Sequence, residues 1–317
     1  MSEPLDAVTL GEAMVLLLGE PALPLASSLH YRRSVAGAES NVAIGLARLG
    51  HRTGFIGRIG SDVFGRVVRS TLRAEGVDVS QLQLDDAPTG LLVRDCAGER
   101  PSEVAYYRRG SAGSMLSPED VQREYVADAR LLHVSGVTGL IGEHPRAAAL
   151  KAMRIAADAG ALVSFDPNVR ERLCPREQAA ELLRPLAGEA QLVLAAEDEA
   201  VLLSGCSRGE DAATWFIEHG ARMVVIKRGV EGAWATDGAE RWDQASWPVT
   251  AVDAVGAGDA FAAGFLSALL RGAEPPRALA EGAVVAGLCV AAPSDIDGLP
   301  TAAERDALLA GGAEVRR

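Results

Sequence analysis

The chain has 317 residues, 48% of them hydrophobic, with 31 Lys+Arg against 43 Asp+Glu and a formal net charge of −12. That is ample material for a buried core, in one large α/β domain or two ordinary ones, and it excludes an intrinsically disordered chain. The acidic balance excludes sequence-independent nucleic-acid binding, which runs on Lys and Arg neutralising phosphates.

The chain opens Met1-Ser2-Glu3-Pro4-Leu5-Asp6, acidic and without the basic n-region of a signal peptide. Short β-branched or apolar runs then predict strands at 7–10, 53–56, 131–134, 162–165, 192–194 and 224–226. The stretch 41–49 sets Val42, Ile44, Leu46 and Leu49 largely on one side and predicts a helix ending at Gly50. Asp62 caps a second helix whose Val63, Phe64, Val67, Val68 and Leu72 share a face, closed by Gly76. Helical propensity marks 147–159 and 178–186. Phe261, Phe265, Leu266, Leu269 and Leu270 form a further apolar face, closed by Gly272.

Alternating strands and helices predict an α/β fold, a mostly parallel sheet covered on both faces. Two stretches break the rhythm. Residues 13–18 with 31–34, and 89–95 with 103–109, read as hairpin-type strands with no helix between them. They predict a small β-sheet lid inserted at about 12–35 and 88–112 into one domain spanning 1–317. The longest uncharged stretch, 282–294, is shorter than the roughly 20 residues that span a bilayer. The cysteines (Cys96, Cys174, Cys206, Cys289) are far apart, with no CxxC and no zinc spacing, which points to a reduced, cytoplasmic protein.

The strongest chemical signal is Asp253-Ala254-Val255-Gly256-Ala257-Gly258-Asp259-Ala260-Phe261, which opens the last helix named above. Small residues at Gly256, Ala257 and Gly258 let backbone N–H groups point at an anion, at the positive end of the helix dipole. Asp259 falls in the first turn, where a carboxylate can take the proton of a hydroxyl attacking the γ-phosphate of ATP. The same residue could equally be a helix cap after a glycine turn. No GK[ST] follows, so this is not a Walker A loop; Phe261 fills the last position of a GxGxxG turn, so it is not a dinucleotide site either. A second signal, Ala36-Gly37-Ala38-Glu39-Ser40-Asn41, also opens a helix: Gly37 allows close ligand approach, and Asn41 offers donor and acceptor to sugar hydroxyls.

Taken together and in order, these motifs resemble the ribokinase-like (PfkB) family of sugar kinases along nearly the whole chain. The early glycine motif matches 36–50, the G-x-x-G-x-D-x-x-G pattern matches 57–65, and the late D-T-x-G-A-G-D motif matches 253–259. Within the family the chain resembles the 2-keto-3-deoxygluconate kinase subgroup. The carriers are Gly11-Glu12, Ala38-Glu39 and Tyr106-Tyr107-Arg108-Arg109-Gly110-Ser111-Ala112-Gly113-Ser114, with Leu132-His133-Val134-Ser135-Gly136 and Asp166-Pro167-Asn168-Val169-Arg170.

The resemblance implies a ribokinase-like three-layer α/β/α domain, ATP and Mg²⁺ as cofactors, a sugar or sugar-acid substrate, and a homo-oligomer joined through the lid sheet. By resemblance, Asp259 is the base and the Gly256, Ala257 and Gly258 N–H groups stabilise the transferred phosphoryl group. Tyr106, Arg108 and Arg170 contact the sugar acid, with Gly37 and Asn41 lining its pocket; arginine suits a carboxylate because its fork binds two oxygens. Lys227, Gly229 and Gly232 lie toward ATP, and Glu199 orients water around Mg²⁺. Lys227 is one of only two lysines in an arginine-rich chain. Locally, the tyrosines read as strand packing, the arginines as solvated edges, and His133 as a satisfied histidine.

The chain departs from the pattern at four positions. Ala196 replaces the asparagine of N-x-x-E, and Ala254 removes a hydroxyl near a site where relatives can bind a monovalent cation. Leu92 and Val169 stand where tyrosines face the sugar, so the pocket is expected to be less polar. The rival readings are a fructokinase or other neutral-sugar kinase, and a non-catalytic sugar- or nucleotide-binding regulator. The four basic side chains Arg108, Arg109, Arg170 and Lys227 are expected to gather in a locally basic cleft.

Overall fold

The computed structural model describes residues 4–21, 23–96 and 103–311. Its strands are β1 (Ala7–Leu10), β2 (Met14–Pro21), β3 (Tyr31–Ala36), β4 (Thr53–Gly60), β5 (Leu82–Asp85), β6 (Leu91–Cys96), β7 (Val104–Tyr107), β8 (Leu131–Ser135), β9 (Leu162–Asp166), β10 (Leu192–Ala196), β11 (Met223–Lys227), β12 (Ala233–Thr236) and β13 (Arg241–Gln244). The helices are α1 (Ala38–Arg48), α2 (Val63–Ala74), α3 (Arg123–Ala127), α4 (Gly136–Leu140), α5 (Glu143–Asp158), α6 (Arg176–Ala187), α7 (Glu197–Ser204), α8 (Gly209–Glu218), α9 (Ala257–Leu270), α10 (Pro275–Val290) and α11 (Ala302–Leu309).

Nine strands make the main sheet in the order β13-β12-β11-β10-β9-β8-β1-β4-β5. From β11 to β5 every pairing is parallel; at the other edge β12 pairs antiparallel with both β11 and β13. Both faces are buried, and the pleat decides which residue goes where. Val193 packs with Val8, Phe165 and helices α5, α6 and α8 on one face. Its neighbours Leu192 and Leu194 pack with Ala7, Val225, Phe261 and Phe265 on the other. Period-two side-chain direction in strands covered on both sides explains why these runs are continuously apolar.

Asp62 caps α2 as its sequence predicts, accepting a hydrogen bond from the Gly65 N–H. Helix α9 is buried almost all round, as a helix between a sheet and another helix must be. It can lie so close to α10 because Gly264 has no side chain: a Cβ there would stand 2.7 Å from the Glu281 carbonyl oxygen.

The four remaining strands form a separate small sheet, ordered β3-β2-β6-β7. The two hairpins expected from the sequence are its antiparallel pairs, β2 with β3 and β6 with β7, and β2 joins β6 in parallel. The tip of the second hairpin, 97–102, lies outside the described residues. Leu16, Leu18, Ala36 and Leu92 close one face of this sheet, while Val15 and Val35 pack into the main body with Phe55 and Ile59.

Candidate active site

The parallel strands all end at one edge of the main sheet, the place where open α/β sheets bind ligands. Glu12 follows β1 by two residues, Asp166 ends β9, Ala196 ends β10 and Lys227 ends β11. Helix α9 starts at the same edge, preceded by Gly256 in the left-handed conformation with φ 83°.

Asp259 sits in the first turn of α9, 8% exposed, and two amides hold it. Asn41 Nδ2 donates to Oδ2 at 2.8 Å and Asn168 Nδ2 donates to Oδ1 at 3.3 Å. Burial pushes its carboxyl up to about 7; the Asn41 amide and the Arg170 charge pull it back part of the way. A carboxylate so placed can accept a proton near neutral pH. Asn168 takes φ 41°, the only non-glycine residue with positive φ among those described. Strain of this kind collects where a side chain must be aimed.

A cleft of about 910 Å³ opens beside Asp259 and brings together Gly37, Asn41, Tyr106, Arg108, Arg170 and Gly256. Gly37 is required by its backbone: φ is 151°, and a Cβ would stand 2.3 Å from the Glu12 carbonyl oxygen. The wall is partly apolar, with Leu92 and Val169 both lining it, as their place in the sequence predicts.

The basic residues are arranged differently from expectation. Arg108 lines the cleft, but its guanidinium is ion-paired with buried Glu12, with Nε 2.8 Å from Oε2, and Ser111 Oγ donates to the other Glu12 oxygen. One carboxylate already holds Arg108, so its first task is to neutralise Glu12 at the pocket wall. Arg109 and Arg170 also line the cleft, and among the described residues neither forms an ion pair. Lys227 does not line it. Its Nζ lies 2.5 Å from Asp166 Oδ2, mostly buried beside the start of α9 with the side chain 15% exposed. Burial pushes the ammonium's pKa down, but the charges of Asp166, Glu199 and Asp259 outweigh that and raise it, so Lys227 stays charged. The expected basic cleft is thus supplied by arginine alone.

Glu199, at the start of α7, is buried and accepts from the Val169 N–H at 2.8 Å and the Ala196 N–H at 3.0 Å. Burial and the neighbouring Asp166 charge raise its pKa, with Lys227 opposing them. Ala196 has no oxygen to return the cap, so only half of a capping box exists here. Gly229 and Gly232 form the tight turn after β11, with φ 56° and 91°. A Cβ at Gly232 would strike the Gln244 carbonyl oxygen at 2.0 Å, so that glycine is fixed by packing whatever else it does. Of the three expected anion-hole donors, the Ala257 N–H is already engaged, donating to the Ala254 carbonyl at 3.3 Å.

Four buried polar residues at this edge escaped the sequence reading as site residues. Glu12, Asp166 and Asn168 stand in segments that carry the family resemblance; an acid or amide just past a parallel strand was the usable signal. Glu39 is fully buried, takes a hydrogen bond from Thr138 Oγ1 at 2.5 Å, and is pushed up to about 7 by burial. It too stands in a segment that carries the resemblance, Ala38-Glu39, though its residue type there is also that of an ordinary helix-start acid. His133 is a satisfied core histidine, as read: Nδ1 lies 3.1 Å from Ser164 Oγ, and burial lowers its pKa to about 4.

A buried carboxylate, aimed by two amides into a cleft beside a glycine-started helix at the strand ends, is equipment for phosphoryl transfer to an alcohol. The comparisons with known proteins agree. The model of the pfkB family of carbohydrate kinases matches residues 6–302, and the chain belongs to that family. A 2-dehydro-3-deoxygluconokinase of Bacillus subtilis (strain 168) is 38% identical over 94% of this chain and 93% of its own. A 5-dehydro-2-deoxygluconokinase of Shouchella clausii is 33% identical over 96% and 95%. Among solved structures, a putative ribokinase II from E. coli in complex with ATP and Mg²⁺ superposes with a TM-score of 0.90, at 26% identity over 97% of this chain and 99% of that one. A fructokinase double mutant from Vibrio cholerae O395, in a fructose-, ADP- and potassium-bound form, gives 0.85 at 27% identity over 98% and 100%.

Proposed function

We propose that the protein is an ATP-dependent kinase of a sugar acid, 2-keto-3-deoxygluconate, transferring the γ-phosphoryl group to its terminal hydroxyl to give the 6-phosphate. The observation that carries the substrate class is Arg170. It lines the cleft and acts electrostatically on Asp259, yet among the described residues it forms no ion pair, whereas Arg108 and Arg176 are paired. Its Nη1 donates to the Val169 carbonyl at 3.2 Å, and a guanidinium in a cleft with no carboxylate partner suits a carboxylate substrate. The relatives named above support the same class, since both names denote kinases of sugar acids.

In this reading Asp259 accepts the proton of the attacking hydroxyl, while Asn41 and Asn168 hold its oxygens in place. The N–H groups of Gly256, Ala257 and Gly258, at the positive end of α9, stabilise charge developing on the phosphoryl group. For Ala257 this means releasing its long bond to Ala254. Tyr106, Arg108 and Gly37 shape the sugar pocket; Gly229 and Gly232 turn the chain toward the nucleotide.

The residues present fit Mg²⁺. Asp166 Oδ1 is buried without a hydrogen-bond partner, and Glu199 is fixed beside it; these two would hold the hydrated ion. When bound, Mg²⁺ neutralises charge on the ATP phosphates. Lys227, ion-paired with the other oxygen, holds the Asp166 carboxylate in place.

The test is Arg170→Gln. Losing a charged hydrogen bond to the substrate carboxylate is expected to cost about 1.5–3 kcal/mol in kcat/KM for the sugar acid, and less for a neutral hexose. Equal losses for both would favour a neutral-sugar kinase.

A further inference from the structure

The small sheet meets the loops of the site at one deeply buried cation. Arg94, on β6, is 1% exposed, and its guanidinium forks across two loops of the main body. Nη1 lies 2.5 Å from Asp253 Oδ2 and Nη2 lies 2.9 Å from Asp295 Oδ1. Asp253 begins the loop that leads to Gly256 and α9. Asp295 lies in the loop after α10, whose backbone would stand 3.0 Å from a Cβ on Gly256. Both loops are also fastened to the C-terminal end of α10: the Val252 and Asp253 N–H groups donate to the Val290 carbonyl, and Cys289 Sγ donates to the Asp295 carbonyl at 3.4 Å.

Two buried carboxylates beside the start of α9 require a positive charge between them. In relatives a site near this motif can bind a monovalent cation. The residues here do not fit one. The charge that such an ion would bring is already supplied by a guanidinium bonded to both carboxylates, and Ala254 offers no hydroxyl to an ion.

We infer that Arg94 is a built-in replacement for the monovalent ion, a positioning residue that holds the loop before α9 in its working shape without added potassium. A guanidinium is always charged and forks across two acceptors, so the loop no longer depends on the ionic medium. Because Arg94 comes from the small sheet, it links that sheet's seating to the shape of the anion hole; Arg32 on β3 adds a more exposed tie to the loop after α10, through Asp297 and the Pro293 carbonyl. The inference rests on the kinase reading for its activity readout, but not for its stability readout.

The experiment compares wild type, Arg94→Ala and Arg94→Lys in potassium, ammonium or tetramethylammonium chloride at one ionic strength. Melting of the ligand-free protein and ADP release with the sugar acid are both followed. The wild type is expected to melt within about 1 °C in all three salts, since a site already filled gains nothing by mass action. Its kcat/KM is expected to change less than about twofold. Arg94→Ala is expected to lose at least about tenfold in kcat and to regain part of it, with a raised melting temperature, in potassium or ammonium. Should Arg94→Ala fail to fold, Arg94→Lys carries the test: its ammonium is expected to restore folding and keep the enzyme indifferent to potassium.

A wild type that gains about tenfold in kcat/KM, or several degrees in melting temperature, from potassium would overturn the inference. So would a folded Arg94→Ala that potassium and ammonium leave unchanged in both readouts. If the wild type releases no ADP with any sugar, the kinase reading fails instead, and the melting comparison still judges Arg94.

Discussion

Asp259 is a residue whose chemistry depends on its surroundings more than on its identity. A carboxyl that would ordinarily titrate near 3.8 is raised to about 7 by burial, so below pH 7 the protonated form, which cannot accept a proton, dominates. Activity should therefore rise with pH through about 7, on a limb of unit slope in kcat/KM. Glu39 is raised to a similar value by burial, and its Oε2 lacks a partner. The two are separable: Glu39→Gln should keep the limb, whereas Asp259→Asn should lower kcat by about 10²–10⁴-fold with little change in ATP affinity. Disappearance of the limb in Glu39→Gln, or near-normal turnover in Asp259→Asn, would assign the base elsewhere. Asp259, Asn41 and Gly37 were legible in the sequence because helix-start glycine motifs are local. The ion pairs of Arg108 with Glu12 and of Lys227 with Asp166 were not, because each partner lies at least 61 positions away. A cationic residue in a motif reveals its charge but not whether another part of the chain has already neutralised it.

At the scale of elements, α9 is the piece that makes the site, and Gly256 is its hinge point. A side chain there faces φ 83° and the Asp295 backbone 3.0 Å away. Gly256→Ala should cost about 1–2 kcal/mol of stability from the left-handed conformation alone. Forcing the loop away from Asp295 should also lower kcat more than it raises the KM for sugar; wild-type kcat in a folded variant would show that the helix start does not shape the reaction. Strong periodic or apolar segments were readable in advance: the six parallel strands, the capped helix α2, and the two hairpins of the small sheet. Strand β5 and the edge pair β12 and β13 were not. Leu82–Asp85 and Arg241–Gln244 are four residues each, with Leu82 their one buried residue, too short for a pattern to stand out, and tertiary pairing decides them. Helix α10 was seen only as an uncharged stretch, since Pro275 and Pro276 at its start look like loop residues until they occupy the first turn.

For the whole molecule, a net charge of −12 surrounds a cleft meant for two anions. The structure reconciles these by gathering five arginines against four carboxylates around the cleft, of which Arg109, Arg170 and Arg172 form no ion pair among the described residues, and by adding the positive end of α9. Association with ATP and a sugar acid therefore depends on local field, not on overall charge. Among the described residues no helix is long and apolar enough to cross a membrane. The central claim is that this cleft phosphorylates a sugar acid. Its most direct test follows ADP release by the wild-type protein with ATP and Mg²⁺ against a panel: 2-keto-3-deoxygluconate, 5-dehydro-2-deoxygluconate, fructose, ribose and glucose. The highest kcat/KM is expected for 2-keto-3-deoxygluconate, with both acids above every neutral sugar. A neutral sugar ranking first would contradict it.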